Sequence, residues 1–180
     1  MFGVAKSTYF LTWFDQHAGK TTLSLALMSG LTKRFGKVGF IKPVGQQYVP
    51  VQTSDGDEVR VDKDVSLIKE YFNLSHIDYN CMSPVIIPRG YTKNYLDGRI
   101  SFQEQLDSIR KSYSEIRKNS DVVLIEGTGH CGVGSVINLN NAKVASILGA
   151  DMVNNEKCLL FSYCLPNAKH TFPISIGLGG

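Results

Sequence analysis

Residues 8–22 have the sequence TYFLTWFDQHAGKTT, in which an apolar and aromatic run is followed by a short polar loop and by Gly-Lys-Thr-Thr. The apolar run, residues 8–14, predicts a buried β-strand. Beyond the loop, leucines at positions 23, 27 and 31 recur at four-residue steps and predict a helix over residues 21–34. Gly36, preceded by two basic residues, is typical of a helix C-terminus. This strand–loop–helix unit is the usual start of a parallel α/β sheet.

The loop before the helix has the residue types of a phosphate-binding loop. A helix N-terminus offers free N–H donors and the positive end of the helix dipole to an anion. Gly19 lets the backbone approach phosphate, Lys20 can reach the β and γ phosphates, and the Thr21 hydroxyl can bind Mg²⁺. The full motif has another glycine where this chain has Phe14, and a chance Gly-Lys-Thr at an ordinary helix start is the alternative. We expect ATP to be bound by His17, Ala18, Gly19, Lys20, Thr21 and Thr22.

Two charged residues follow predicted buried strands further along the chain. Lys42 follows the short strand Val38–Ile41, and Glu126 follows the apolar run at residues 122–125. Ligands of open parallel sheets bind at the carboxyl ends of the strands. Lys42 could therefore balance phosphate or carboxylate charge, and Glu126 could hold Mg²⁺. The alternatives are a solvated lysine and a loop-capping glutamate, and local chemistry makes Asp64 a helix N-terminal residue.

The remaining pattern alternates between helical and extended segments. Ser101 and Glu104 have the spacing of a capping box at the start of a long helix. Further helices are predicted over residues 64–72 and 141–148, and a further core strand over residues 151–153. We expect an α/β fold with a doubly wound, mostly parallel sheet, similar to that of P-loop NTPases.

Three segments carry no such pattern. Residues 49–62 are polar with a Ser-Asp-Gly-Asp turn and predict a mobile surface loop, and residues 80–91 predict irregular structure. The prolines and glycines of residues 154–180 predict an irregular C-terminal tail after a P-loop nucleotide-binding domain at residues 1–153.

Composition narrows the class of protein. The net charge is only +3 and no basic cluster occurs, which disfavours nucleic acid as a partner. No stretch approaches the roughly 20 apolar residues of a membrane span. The four cysteines include no Cys-x-x-Cys pair, which favours a reduced, soluble, intracellular protein. The cytoplasm is the expected location, with an organelle as the alternative.

Four motifs together resemble the dethiobiotin-synthetase-like branch of P-loop proteins, which includes cobyrinic acid amide synthases and the N-terminal domain of some phosphate acetyltransferases. The motifs are Gln-His-Ala-Gly-Lys-Thr-Thr at residues 16–22, Ile-Lys-Pro-Val at residues 41–44, Asp-Val-Ser-Leu at residues 64–67 and Glu-Gly-Thr-Gly at residues 126–129. The resemblance implies that Thr21, Asp64 and Glu126 surround Mg²⁺. It implies catalytic roles for Lys20 on the phosphates and for Lys42 between the γ-phosphate and a carboxylate or carbamate substrate, and it implies a homodimer.

The resemblance leaves three functions open. The first is an ATP-dependent ligase that phosphorylates a small carboxylate or carbamate before a nitrogen attacks it. The second is a nucleotide-sensing regulatory domain without turnover, and residues 88–98 resemble the phosphate-acetyltransferase-associated domains most. The third is a partition or septum-site ATPase, which is disfavoured because residues 14–16 lack the signature lysine of that group. Related folds continue beyond residue 153 with further strands and helices that residues 154–180 do not resemble, so we expect an incomplete or mis-spliced chain, in which case the pocket for the nucleotide base is missing.

Overall fold

The structure is a computed structural model that describes residues 7–12, 20–53, 55–128, 134–154 and 171–173. The strands are Ser7–Thr12 (β1), Val38–Ile41 (β2), Val44–Gly45 (β3), Tyr48–Gln52 (β4), Glu58–Asp62 (β5), Val85–Ile86 (β6), Val122–Glu126 (β7), Asp151–Asn154 (β8) and Thr171–Pro173 (β9). The helices are Lys20–Thr32 (α1), Lys63–Tyr71 (α2), Tyr79–Met82 (α3), Tyr91–Leu96 (α4), Phe102–Lys118 (α5) and Asn141–Leu148 (α6).

Five strands form a parallel sheet in the order β2-β7-β1-β8-β9. From β1 the chain passes through α1 to β2, which lies toward one edge of the sheet. From β7 it passes through α6 to β8, which lies toward the opposite edge. Connections in both directions are the mark of a doubly wound sheet, so the predicted fold class is confirmed. Because all five strands are parallel, their carboxyl ends lie at one edge of the sheet.

The centre of the sheet is apolar, as the sequence pattern predicts. All five residues of β7 are buried between β1 and β2. Helix α5 packs closely on β2, since a Cβ atom on Gly39 would lie 2.6 Å from Cγ2 of Ile116. The hydroxyls of Thr8 in β1 and Tyr113 in α5 form a hydrogen bond of 2.8 Å. This packing fixes the strands whose carboxyl ends carry the candidate site.

The capping box of α5 is confirmed. The Ser101 hydroxyl accepts a hydrogen bond from the Glu104 backbone N–H, and the Glu104 carboxylate accepts one from the Ser101 N–H, each at 3.0 Å. The helix then buries Leu106, Ile109 and Ile116 on one face. Local capping and the apolar face agree, which explains why the start of this helix is predictable from sequence.

The predicted surface loop over residues 49–62 is wrong. Strands β4 and β5 form an antiparallel hairpin there, with Tyr48 opposite Asp62. Side chains of β4 alternate between exposed and half-buried, which is the period-two pattern of a strand with one face covered. Pro50 and the polar turn obscure this pattern in the sequence, although Gly56 takes the positive φ of 88° that a tight turn needs.

The irregular segment predicted over residues 80–91 also contains regular structure. The short helix α3 begins after Asp78, whose carboxylate accepts a hydrogen bond from the Asn80 backbone N–H at 2.9 Å. The two-residue strand β6 pairs with β3 in parallel, with Val44 opposite Val85. Elements this short leave too few residues for a periodic pattern, so sequence reasoning did not detect them.

The end of α1 and the structure of the tail also differ from the prediction. Helix α1 ends at Thr32, two residues before the predicted end, and the chain closes with a turn in which the N–H groups of Arg34 and Phe35 donate to the Leu31 carbonyl. In the tail, which was expected to be irregular, Thr171–Pro173 forms the edge strand β9 beside β8. The predicted division of the chain at residue 153 stays a prediction.

Candidate functional site

The candidate site lies at the carboxyl edge of the sheet. Lys42 directly follows β2, and Glu126 is the last residue of β7, the strand beside it. The hairpin β4–β5 and helix α2 bring Asp62 and Asp64 to the same place. Residues far apart in sequence therefore form one cluster of one lysine and three carboxylates.

The ammonium of Lys42 is the centre of this cluster. Its Nζ atom lies 2.9 Å from Oδ1 of Asp62, 2.5 Å from Oδ2 of Asp64 and 3.3 Å from Oε1 of Glu126. Burial alone would lower the pKa of Lys42, but the carboxylates of Glu126, Asp62 and Asp64 outweigh it and raise that pKa. The side chain of Lys42 is therefore positively charged. The alternative of a solvated lysine is wrong, because Lys42 is only 8% exposed.

Glu126 is fully buried beside Lys42. Its Oε2 atom accepts a short hydrogen bond from the hydroxyl of Ser24 in α1. Its Oε1 atom faces Lys42 but accepts no hydrogen bond within the described part of the chain. Burial raises the pKa of Glu126, against the opposing effect of Lys42. A buried carboxylate with an oxygen that lacks a hydrogen bond is the kind of group that a functional site retains.

Asp64 stands in the first turn of α2 and faces α1. The hydroxyl of Thr21 donates a hydrogen bond of 3.1 Å to its Oδ1 atom, while Oδ2 contacts Lys42. Burial would raise the pKa of Asp64, but Lys42 and the hydrogen bond from Thr21 outweigh burial and lower it. Asp64 is therefore an ionised carboxylate, and it connects α2 to the first turn of α1.

Asp62 is the member of the cluster that sequence reasoning missed. It is 2% exposed and is the N-cap of α2, where its Oδ1 accepts from the Asp64 N–H at 3.1 Å. Its Oδ2 accepts from the Gln46 N–H at 3.0 Å. Gly45 permits this approach, since a Cβ atom there would lie 2.8 Å from the Asp62 Cβ. An aspartate two residues before Asp64 at a helix start was the available signal.

The segment after β7 is held by helix α6. Asn141, the first residue of α6, accepts hydrogen bonds through Oδ1 from the backbone N–H of Thr128 at 2.8 Å and from its hydroxyl at 3.0 Å. The Asn141 amide group donates back to the Thr128 carbonyl at 3.3 Å. These three bonds fix the backbone that leaves Glu126.

Comparison with known proteins identifies the family. Residues 7–153 match the family AAA_26, which is described as an AAA domain. The chain belongs to this AAA domain family. It is a P-loop domain family, for which nucleotide binding is the expected property.

This AAA domain also has curated relatives. It is 28% identical over 137 residues to the ATP-dependent dethiobiotin synthetase BioD of Nitrosospira multiformis, a match over 74% of this chain and 53% of the relative. It is 27% identical to a phosphate acetyltransferase of Haemophilus influenzae and 29% identical to one of Pseudomonas putida, over 75% and 76% of this chain. Those matches cover 17% and 18% of the two relatives, so the chain spans about half of the synthetase and under a fifth of the acetyltransferases. The resemblance inferred from the four motifs is confirmed.

The structure brings together several predicted site residues of the AAA domain. Lys42, Asp64, Glu126 and Thr21 share the cluster, whereas Thr22 lies exposed on α1. Lys20 is the first residue of α1. The predicted nucleotide-binding residues His17, Ala18 and Gly19 lie outside the described residues.

The donor atoms beside the first turn of α1, two carboxylates and one hydroxyl, are of the types that Mg²⁺ binds in proteins. Oδ1 of Asp64 and the hydroxyl oxygen of Thr21 are 3.1 Å apart. Neighbouring oxygens in an octahedral Mg²⁺ site, with bonds of about 2.1 Å, are separated by about 3 Å. The buried Oε1 of Glu126 adds a carboxylate oxygen without a hydrogen bond. Over the described residues no group of three or more acidic, histidine or cysteine side chains is arranged to hold a metal ion by itself, and the three carboxylates of the cluster contact Lys42.

Membrane insertion finds no support in the helices. None of those that the structure describes combines the length and the apolar character that a bilayer crossing requires.

Proposed function

We propose that this AAA domain binds ATP with Mg²⁺ at the loop between β1 and α1 and phosphorylates a small carboxylate or carbamate. The observation that carries the proposal is the buried contact of Lys42 with Asp64 and Glu126 beside the first turn of α1. A cation and metal-binding carboxylates beside the start of the helix are what phosphoryl transfer needs. The ATP-dependent dethiobiotin synthetase among its relatives supports the same choice.

Each residue has a role that follows from its charge and position. Lys20, at the start of α1, neutralises the β and γ phosphates together with the N-terminus of the helix. Thr21, Asp64 and Glu126 would hold Mg²⁺, which supplies positive charge to the phosphate oxygens when bound. Lys42 neutralises the γ-phosphate and orients the substrate oxygen.

The proposed reaction has two steps. A carboxylate or carbamate oxygen attacks the γ-phosphorus, the bond from that phosphorus to the β–γ bridging oxygen breaks, and ADP leaves. An amine nitrogen then attacks the activated carbon, its proton is lost, and phosphate leaves. The products are a new carbon–nitrogen bond, ADP and phosphate. Buried Lys42 holds its charge in place before the reaction, so little reorganisation is needed as charge develops.

The second candidate function is nucleotide sensing without turnover. It is supported by the two phosphate acetyltransferase relatives, which match a similar share of this chain with similar identity. A sensing domain would use the same residues for binding and would lack the chemical step. Binding and turnover must therefore be measured separately.

Calorimetry of ATP binding with and without Mg²⁺ is the first test, on the wild type and on Lys20→Ala. We expect Mg²⁺-dependent binding that Lys20→Ala weakens by about 100-fold or more, since it removes a charge paired with phosphate. Lys33→Ala is the matched control, because it removes the charge of an exposed lysine just beyond the other end of α1, and we expect wild-type binding. Absence of binding by folded wild-type protein would contradict the proposal.

Turnover is then measured as ADP release with panels of small carboxylates, with amines and with bicarbonate. We expect substrate-dependent ADP release that Lys42→Met abolishes while binding of ATP persists. Tight ATP binding with no ADP release in any panel would favour the sensing function instead.

A further inference from the structure

The charges of the cluster do not balance without a further cation. Asp62, Asp64 and Glu126 contribute three formal negative charges, and Lys42 contributes one positive charge. With all three carboxylates ionised the formal net charge is −2, which one divalent cation would neutralise, whereas burial raises the pKa of Glu126 and favours a proton there when no such cation is bound. Buried charges are costly unless they are compensated, so the cluster favours the entry of such an ion.

Lys42 contacts the same carboxylates that a metal would need. Its ammonium lies 2.5 Å from Oδ2 of Asp64 and 3.3 Å from Oε1 of Glu126. The other oxygen of Asp64, Oδ1, lies beside the Thr21 hydroxyl, where it would share a metal with that hydroxyl, and the other oxygen of Glu126 accepts from Ser24. A divalent cation and an ammonium repel each other strongly at such distances in a buried site. Mg²⁺ and Lys42 therefore compete for Asp64 and Glu126.

Asp62 is held differently from the other two carboxylates. Its two oxygens accept backbone N–H bonds from Asp64 and Gln46, and its own N–H donates to the Ser83 hydroxyl at 3.1 Å. These bonds keep its Oδ1 atom 2.9 Å from the Lys42 ammonium. Asp62 can therefore hold Lys42 when the other two carboxylates are engaged elsewhere.

We propose that Lys42 is the resident counter-cation of the metal site, that a divalent cation displaces its ammonium from Asp64 and Glu126, and that Asp62 retains it after the exchange. The inference rests on the proposed function, because it concerns the same site. Asp62 is a positioning residue in this scheme. The exchange would turn the Lys42 ammonium toward the γ-phosphate only when the metal is present. The positive charges of Lys42 and Mg²⁺ would then be in place together before the phosphoryl group is transferred.

The first test measures binding of Mn²⁺ alone, without nucleotide, from the loss of the free-ion signal in electron paramagnetic resonance. Lys42→Met removes the competing cation and should bind Mn²⁺ about tenfold or more tightly than wild type. Lys63→Met is the matched control, because Lys63 is exposed beside Asp64 and makes no ion pair with it among those the structure describes. Its binding should change by less than about threefold. Equal affinity in wild type and Lys42→Met would overturn the proposal.

The Lys42→Met chain could be unfolded in chelator, since it leaves three buried carboxylates without their cation. In that case circular dichroism during a Mn²⁺ titration measures the same competition. We expect Mn²⁺ to restore the fold of this variant. A variant that stays unfolded at saturating Mn²⁺ contradicts the proposal, because the metal then does not replace the ammonium.

The second test follows the Lys42 ammonium directly by ¹H–¹⁵N NMR, with Lys42→Met identifying its signal. Mg²⁺ alone should shift the wild-type signal without abolishing it, because Asp62 keeps the ammonium in place. In Asp62→Asn, Mg²⁺ should abolish the signal, because the retaining charge is gone. A wild-type signal that Mg²⁺ leaves unchanged, or a signal that persists in Asp62→Asn, would contradict the scheme.

Neither test contains nucleotide, so the two proposals can fail separately. Wild type that fails to bind ATP but shows the metal exchange would contradict the proposed function alone. Wild type that binds and hydrolyses ATP without the exchange would contradict the role of Lys42 as counter-cation alone.

Discussion

Gly127 shows how closely single residues are constrained around the site. A Cβ atom there would lie 2.8 Å from Oδ1 of Asn141 and 2.9 Å from Cε1 of Phe10. The first contact is with the amide that binds Thr128, and the second is with a fully buried ring of β1. A side chain larger than that of glycine at this position therefore requires Asn141 or Phe10 to shift.

Gly127→Ala should therefore lower the free energy of unfolding by about 1–3 kcal/mol through overpacking. Gly30→Ala is the matched control, because a Cβ atom on Gly30 meets nothing within 4 Å in helix α1. That change should stabilise the protein by about 0.5–1 kcal/mol, since alanine favours the helix. Urea denaturation of both variants measures the difference. Equal stabilities would mean that Asn141 and Phe10 can rearrange.

At the scale of elements, α5 shows local sequence and tertiary packing acting together. Its N-terminus is closed by the reciprocal bonds of Ser101 and Glu104, and its apolar face packs on β2 and β7. The carboxylate of Glu104 is exposed, and its hydrogen bonds to Ser101 lower its pKa. The helix thus has a cap that depends only on neighbouring residues, and a position that depends on the sheet.

Substitution of the capping residue tests whether the local cap stabilises α5 independently of its packing on the sheet. Ser101→Ala removes the acceptor for the Glu104 N–H and should lower the free energy of unfolding by about 1 kcal/mol. Ser114→Ala, an exposed position inside the same helix, should be neutral or slightly stabilising. Both values come from urea denaturation under the same buffer. If the two substitutions had the same effect, the capping box would not contribute to stability.

At the scale of the whole molecule, the stability of the fold should depend on pH through His76, the one histidine among the described residues. Burial lowers the pKa of His76, and Lys37 and Lys69 lower it further, while the Val38 backbone and Asp121 oppose them. Its Nε2 atom is buried and has no hydrogen-bond partner in the described part of the protein. The folded state therefore favours the neutral ring.

The sign of the effect follows from this depressed pKa. The unfolded chain takes up a proton near pH 6.5, whereas the folded chain does so only at lower pH. Stability should thus be full above about pH 6.5 and should fall as the pH decreases toward the folded pKa of His76. His76→Gln should reduce that slope in urea denaturation between about pH 7.5 and 5.5. A variant with the wild-type slope would show that other groups govern this range.

The parallel sheet and its ligand edge were predictable because their signals are local. Apolar runs mark β2 and β7. Lys42 directly follows β2 and Glu126 is the last residue of β7, so both positions follow from the direction of the strands. The proposed metal-binding role of Asp64 came from resemblance to a family, since its local chemistry indicates only a helix N-terminus. The predicted phosphate loop as far as Gly19 lies outside the described residues, and the predicted phosphate contacts of Lys20 and Thr21 on α1 also stay predictions.

The sequence by itself determined the strand–loop–helix unit, the class of fold and the edge at which the candidate site lies, because the alternation of apolar and polar residues that marks each element depends only on neighbouring residues. Only the tertiary structure decided that residues 48–62 form a hairpin and that Asp62 joins the site. The physical reason is that Asp62 is 20 residues from Lys42 in sequence, and Glu126 is 102 residues from Ser24. Contacts at such separations arise from packing of the sheet and its helices, and no local pattern records them.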